Sequence, residues 1–300
     1  MASRFFRGVL ALAAGFPQLS LAQAPATRNL PVDSGRVAVP GSSLYYETAG
    51  NGRPLILLHG GSLDRRMWDD QFYALAQSHR VIRYDARGHG RSGSVTSPFD
   101  GSEDLRALME ALRVGRATLV GSSLGGATAI DFALAYPERV DRLVLVGSGL
   151  SGYRWPPESR DVPWRVAARA AAARGDTVGI ARSWLQSEYF AAARELPALA
   201  ARLDTLLAEN VELWKSRLRM GNQDTVFSGQ ALGRLDRIRA PALIVVGSRD
   251  VVDIHRIADT LQAYLPQART VVVDRAGHVP NMERPSLFLE VLRNFLEGGR

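Results

Sequence analysis

The chain has 300 residues, 46% of them hydrophobic, and a formal net charge of +7 from 37 basic against 30 acidic side chains. That composition excludes a disordered chain, and the basic residues, all arginine except Lys215, lie scattered among acids without a dense run, which argues against a nucleic-acid partner. Cysteine is absent, so disulfides, thiolate metal ligands, a thiol nucleophile and a lipid-modified cysteine are ruled out together.

The amino terminus reads as a secretory leader over residues 1–22. Arg4 and Arg7 come first with no acid among them, an apolar run follows to Phe16, and Ser20 and Ala22 occupy the small positions before a cleavage site. The apolar run is too short to span a bilayer stably, so the expectation is a secreted or periplasmic protein without stable membrane insertion. Residues 23–34, with Pro25, Ala26, Pro31 and Ser34, read as a linker.

From residue 35 onward, short β-type runs alternate with helical patterns. Strands are predicted near 36–39, 44–47, 55–58, 81–84, 117–120, 143–146, 243–246 and 270–273, and helices over 67–76, 103–112, 124–135, 254–264 and 285–296. Such alternation predicts an α/β fold with a mainly parallel, eight-stranded, doubly wound sheet. Residues 150–241 break the rhythm. They show no strand pattern, and stretches such as "VPWRVAARAAAAR" and "LARLDTLLAENVELWKSRLR" have helical spacing. Ordinary loops have about four to six residues, so this interval reads as a helical cap inserted into a core made of 35–149 and 242–300.

Chemistry concentrates at the predicted strand ends. In "LVGSSLGGATAI" the pattern G-x-S-x-G fits one register, Gly121, Ser123 and Gly125, because centring it on Ser122 would require glycine at Val120 and Leu124. The pattern suits a sharp strand-to-helix turn that exposes a nucleophilic hydroxyl, although a plain glycine-rich turn would look the same in isolation. A serine hydroxyl needs a base and an orienter for that base. "ALIVVGSRD" delivers Asp250 after one strand, and "VVVDRAGHVP" delivers His278 after the last. Asp253 and Asp274 compete with Asp250, but Asp253 suits a helix cap and Asp274 stands too near its strand. Of the other histidines, His79 and His255 read as surface residues, and His89 reads as a brace for a turn. Backbone amides of Leu124, at a helix start, and of Gly61, in "HGGS", are the candidate oxyanion donors.

The motifs "LLHGGS", "YDARGHGRS", "GSSLGG", "GSRD" and "AGHVPNMERP" together resemble the α/β-hydrolase superfamily over about 36–149 and 242–298. "RMWDDQFYALAQSHRVIRYDARGHGRS" is further similar to the 3-oxoadipate enol-lactonase branch and neighbouring bacterial esterases. The resemblance implies a serine hydrolase that cleaves a small carboxylic ester or lactone through an acyl-enzyme, with no metal and no organic cofactor. Ser123 argues against the branches that use an aspartate nucleophile. Trp155 and Trp184 of the cap and Trp68 near the mouth are candidate substrate-binding residues, although aromatics at helical spacing also build cores. Carbon–carbon bond hydrolysis by the same triad and ligand binding with negligible turnover are the alternative readings. The sequence carries no signal for oligomeric state.

Overall fold

In the computed structural model, which describes residues 30–157, 162–220, 225–226 and 230–298, the apolar runs assemble into one eight-stranded sheet. The amino-terminal half supplies β1 (Val32–Val39), β2 (Ser42–Ala49), β3 (Arg53–Leu58), α1 (Asp69–Leu75) and β4 (His79–Tyr84). It continues with β5 (Phe99–Asp100), α2 (Gly101–Ala111), β6 (Ala117–Ser122), α3 (Leu124–Ala135) and β7 (Val140–Val146). Next come α4 (Pro163–Ala173), α5 (Thr177–Leu185), α6 (Ala191–Arg194), α7 (Pro197–Glu209), α8 (Val211–Met220) and β8 (Thr225–Val226). The chain closes with β9 (Ala242–Gly247), α9 (Val252–Tyr264), β10 (Ala268–Val273), α10 (Pro280–Glu283) and α11 (Pro285–Leu296).

The strand order is β1-β2-β4-β3-β6-β7-β9-β10. β2 runs antiparallel to both its neighbours, and the remaining pairs are parallel. Alternate residues of each central strand face opposite layers. Leu55, Leu57, Val120, Val144 and Val245 join the apolar cluster that includes α1 and α11. Ile56, Leu58, Leu119, Leu143 and Ile244 join the one that includes α2, α3 and α9. Each fully buried leucine or isoleucine contributes about 1.5–3 kcal/mol, and coverage on both sides explains why these strands read as continuous apolar runs.

Two expectations are corrected here. β1 begins at Val32, inside the span read as linker, and its first five residues are exposed or half-buried, so no apolar periodicity announced them. The cap interval is helical, as its spacing predicts, but it also holds β8, which pairs in parallel with β5. A two-residue ladder is too short to carry a periodic signal. The leader expected over 1–22 lies outside the described residues. Among the described residues, no helix is long and apolar enough to cross a membrane.

The cap helices α4–α8 follow β7 and precede β9, and their interior merges with one face of the core: Leu203, Leu206, Leu207 and Trp214 belong to the same apolar cluster as Leu57 and Phe72. Asn210, between α7 and α8, ties the cap to two core loops. Its Nδ2 donates to Asp64 Oδ2 at 3.2 Å and its Oδ1 accepts from the Gly90 amide at 2.7 Å. β3, β6, β9 and β10 run parallel to one another, so the loops that leave their carboxyl ends gather along one edge of the sheet, beneath the cap.

Candidate active site

Ser123 stands between β6 and α3 with φ 50° and ψ −111°, a left-handed conformation that costs a non-glycine residue about 1–3 kcal/mol. Surrounding hydrogen bonds hold it there. The Ser123 amide donates to Val146 O at 2.9 Å, and its carbonyl accepts from Gly149 at 2.9 Å and Ala127 at 3.1 Å. The flanking glycines are required by close backbone approach: a Cβ at Gly121 would lie 2.3 Å from Gly125 O, and one at Gly125 would lie 2.4 Å from Leu58 O. The G-x-S-x-G spacing is therefore the contact between β6, α3 and the end of β3 written in sequence.

After β9 the chain turns through Gly247 to Asp250, whose Oδ1 accepts from the Val251 amide at 2.8 Å. The Asp250 side chain is fully buried, and its Oδ2 and Oδ1 lie 3.0 and 3.1 Å from His278 Nδ1. This contact commits Nδ1 to the carboxylate and leaves Nε2 as the imidazole's working nitrogen. His278 and Ser123 line the same cavity of about 300 Å³, within the range of small-molecule sites.

The loop bearing His278 is itself clamped. The Gly277 amide donates to Glu283 Oε2, and among the described residues Glu283 Oε1 is buried without a hydrogen-bond partner. Burial, reinforced by the charge of Asp250, pushes the Glu283 carboxyl up to about 7, against the opposing pull of the Gly277 and Val279 amides. Sequence reasoning passed over Glu283. Its signal was available as an acid in the otherwise uncharged stretch "GHVPNME" before α11.

The loop after β3 is braced from behind by two histidines. His59 Nε2 accepts from the Ala86 amide at 2.9 Å, which leaves its Nδ1 to donate to Gly60 O at 2.9 Å; burial disfavours its charged form and lowers its pKa. His89 Nδ1 faces Arg87 O at 2.8 Å and its Nε2 faces Gly61 O at 3.2 Å, so this residue braces its turn and also reaches across to the loop. Because the Gly60–Gly61 peptide is planar and trans, holding the Gly60 carbonyl towards His59 directs the Gly61 N–H to the opposite side. The Gly60 amide is engaged by Met67 Sδ at 3.3 Å. Gly61 and Leu124 both line the cavity, and Leu124, the first residue of α3, has an N–H with no acceptor inside its own helix.

Trp155 and Trp184 line the cavity, Trp155 from a position 38% exposed. Trp68 does not, and its reading as a substrate-binding residue is corrected: it is fully buried in the core, its ring 6.2 Å from Phe288, while its neighbour Met67 reaches the cavity. Adjacent residues of one helical turn point in different directions, which aromatic content alone does not reveal. Asp253 does not cap α9 as expected. It sits in the first turn and accepts from Tyr153 Oη at 2.6 Å and Arg256 Nη1 at 3.1 Å. The cap contributes Tyr189, whose ring packs 4.7 Å from that of His278. Ser122 lines the cavity too, its Oγ buried without a hydrogen-bond partner among the described residues. No group of three or more His, Asp or Glu among the described residues is arranged to hold a metal ion.

Comparison with known proteins places this geometry among relatives. The family profile described as "alpha/beta hydrolase fold" matches residues 53–285. A pimeloyl-[acyl-carrier protein] methyl ester esterase of Nitrosomonas europaea is 31% identical over 266 residues, covering 83% of this chain and 97% of that protein. A 2-hydroxy-6-oxononadienedioate/2-hydroxy-6-oxononatrienedioate hydrolase of Paraburkholderia phymatum is 31% identical over 265 residues, covering 84% of this chain and 90% of that protein. Among solved structures, Est816, described as an N-acyl homoserine lactone degrading enzyme, superposes with a TM-score of 0.73 at 31% identity, covering 87% of this chain and all of that one.

Proposed function

The chain belongs to the alpha/beta-hydrolase family, and from that membership we propose that it is a serine hydrolase of small carboxylic esters or lactones. The observation that carries the reading is the contact of His278 Nδ1 with the buried Asp250 carboxylate, in an imidazole that shares its cavity with the strained Ser123. Ser123 Oγ attacks the carbonyl carbon while His278 Nε2 takes its proton. The resulting oxyanion accepts hydrogen bonds from the Gly61 and Leu124 amides, where the amino-terminal end of α3 adds a favourable field. Collapse expels the alcohol, protonated by His278, and water then attacks the acyl-enzyme by the same route. Asp250 fixes the imidazole's tautomer and stabilises its transient positive charge. With a lactone the alcohol stays tethered to the acyl group, and the same steps apply.

The 31% identity to a 2-hydroxy-6-oxononadienedioate/2-hydroxy-6-oxononatrienedioate hydrolase favours a second reading, carbon–carbon bond cleavage by the same residues. The two are separated by assaying purified protein on short-chain ethyl esters, γ- and δ-lactones and a vinylogous diketone, with Ser123→Ala as control. Turnover of esters or lactones that is lost in Ser123→Ala is the expected result. Cleavage of the diketone alone would transfer the assignment to the second reading.

A further inference from the structure

The walls of the cavity are mainly apolar, and among its described lining residues there is no carboxylate and one guanidinium, that of Arg165. Most buried arginines of this protein are neutralised. Arg65 pairs with Glu47 and Asp85, Arg83 with Glu47 and Asp69, and Arg87 with Asp104. Arg165 is half-buried, and no carboxylate among the described residues pairs with it. Its position in the fold compounds the imbalance. It lies in the first turn of α4, which contains no acid, so the positive end of the helix dipole adds to its charge.

The group is also oriented. Its guanidinium lies over the Trp164 ring at 4.5 Å, and it sits beside the Tyr189 hydroxyl, whose ring in turn packs against His278. One tyrosine side chain thus spans the gap between guanidinium and imidazole, a separation on the order of 10 Å at ordinary contact distances. An aliphatic chain of a few carbons bridges that gap. A planar, pre-oriented cation that no carboxylate among the described residues neutralises, on the wall of a mainly apolar cavity, is suited to a carboxylate.

Building on the hydrolase reading above, we propose that the substrate carries a carboxylate of its own, held by Arg165, so that the cavity selects half-esters of short dicarboxylic acids or the corresponding acidic lactones. Hydrolysis of such a half-ester anion consumes one water and yields the dicarboxylate, the alcohol and one proton.

The test compares monoethyl adipate with its neutral isostere, ethyl 6-methylheptanoate, in which an isopropyl group replaces the carboxylate; acid release is followed by pH-stat. The unaltered protein is expected to favour the anionic ester by more than about tenfold in kcat/KM, a difference of about 1.4 kcal/mol, with the preference shrinking as salt is added. In Arg165→Met the ratio falls to within about twofold, and in Arg165→Lys an intermediate preference survives. A ratio near one in the unaltered protein, or an unchanged ratio in Arg165→Met, overturns the proposal while leaving ester hydrolysis intact. A readout independent of turnover covers failure of the hydrolase reading itself. Adipate binding quenches tryptophan fluorescence through Trp164 beneath the guanidinium, with an affinity at least tenfold weaker in Arg165→Met; equal affinity in the two proteins refutes the proposal whether or not any ester is cleaved.

Discussion

Ser122 and Ser123 are neighbours with opposite constraints. Ser123 is held at positive φ by three backbone hydrogen bonds, whereas the Ser122 hydroxyl is buried without a partner among the described residues. Ser123→Ala is expected to lower kcat on a hydrolysed ester by at least about 10⁴-fold, and Ser122→Ala to change kcat/KM by less than about fivefold without loss of thermal stability. Steady-state kinetics and thermal melts on the two variants check this. Glu283 supplies a pH signature. Its folded-state pKa, pushed up to about 7 from an ordinary 4.5, means that the native chain keeps a proton the unfolded chain releases first. Stability therefore falls as pH rises from about 4.5 to about 7, by something on the order of 2 kcal/mol, and this contribution is flat above that. Glu283→Gln keeps an acceptor for the Gly277 amide and removes the titration, so denaturant unfolding at several pH values shows a shallower decline. Asp131, pushed up to about 6 by burial, adds a slope of the same sign that persists in the variant. The Ser, Asp and His candidates were legible because each follows a recognisable strand in a fixed chain order. Glu283 was not, because what distinguishes it is burial against Asp250 and His278, a property of the folded loop.

Among the elements, the turn from β6 into α3 is one of the tightly packed joins of the described residues. Gly125→Ala would place a methyl 2.4 Å from Leu58 O and 2.7 Å from His59 O, backbone atoms of the last residue of β3 and the first of its loop that cannot yield alone. Urea unfolding should show a loss on the order of 3 kcal/mol or more, whereas Gly115→Ala, where a Cβ meets nothing within 4 Å, should stay within about 0.5 kcal/mol. The strand sequence and helix spacing foretold this architecture because the central strands are buried on both faces and α2, α9 and α11 each show an apolar stripe, while α3 is buried almost all round. The first half of β1 and all of β8 escaped for contrasting reasons. The first half of β1 is polar and edge-exposed, and β8 has two residues. Trp68 was misplaced because aromatic content does not give a side chain's direction: it stands in the turn just before α1, and packing sends its ring towards Phe288 of α11.

In the whole molecule, the cavity exists only with the cap seated on the core, since the loop after β3 and the end of β6 line it together with Arg165 of α4 and Trp184 of α5. Asn210 joins the two through buried hydrogen bonds, whereas Arg202 pairs with Asp70 at the surface. Asn210→Ala leaves the Gly90 amide and an Asp64 oxygen without this partner and should cost about 1–3 kcal/mol in urea unfolding; Arg202→Ala should cost less than about 1 kcal/mol. The existence of a cap was legible as a helical insertion too long for a loop. Trp155 and Trp184 were legible as candidates for the cavity wall; their assembly with Arg165 and Tyr189 was not, because these residues come from separate elements brought together by packing. The proposed chemistry stands or falls with Ser123 as the nucleophile, activated by His278 and Asp250. Its most direct measurement is covalent labelling with a serine-directed phosphonate followed by peptide mass spectrometry. One adduct is expected, on Ser123, with labelling slowed at least about 10³-fold in His278→Ala. An adduct on Ser122, or an unmodified Ser123 in protein whose ester hydrolysis the phosphonate has fully inhibited, would contradict it.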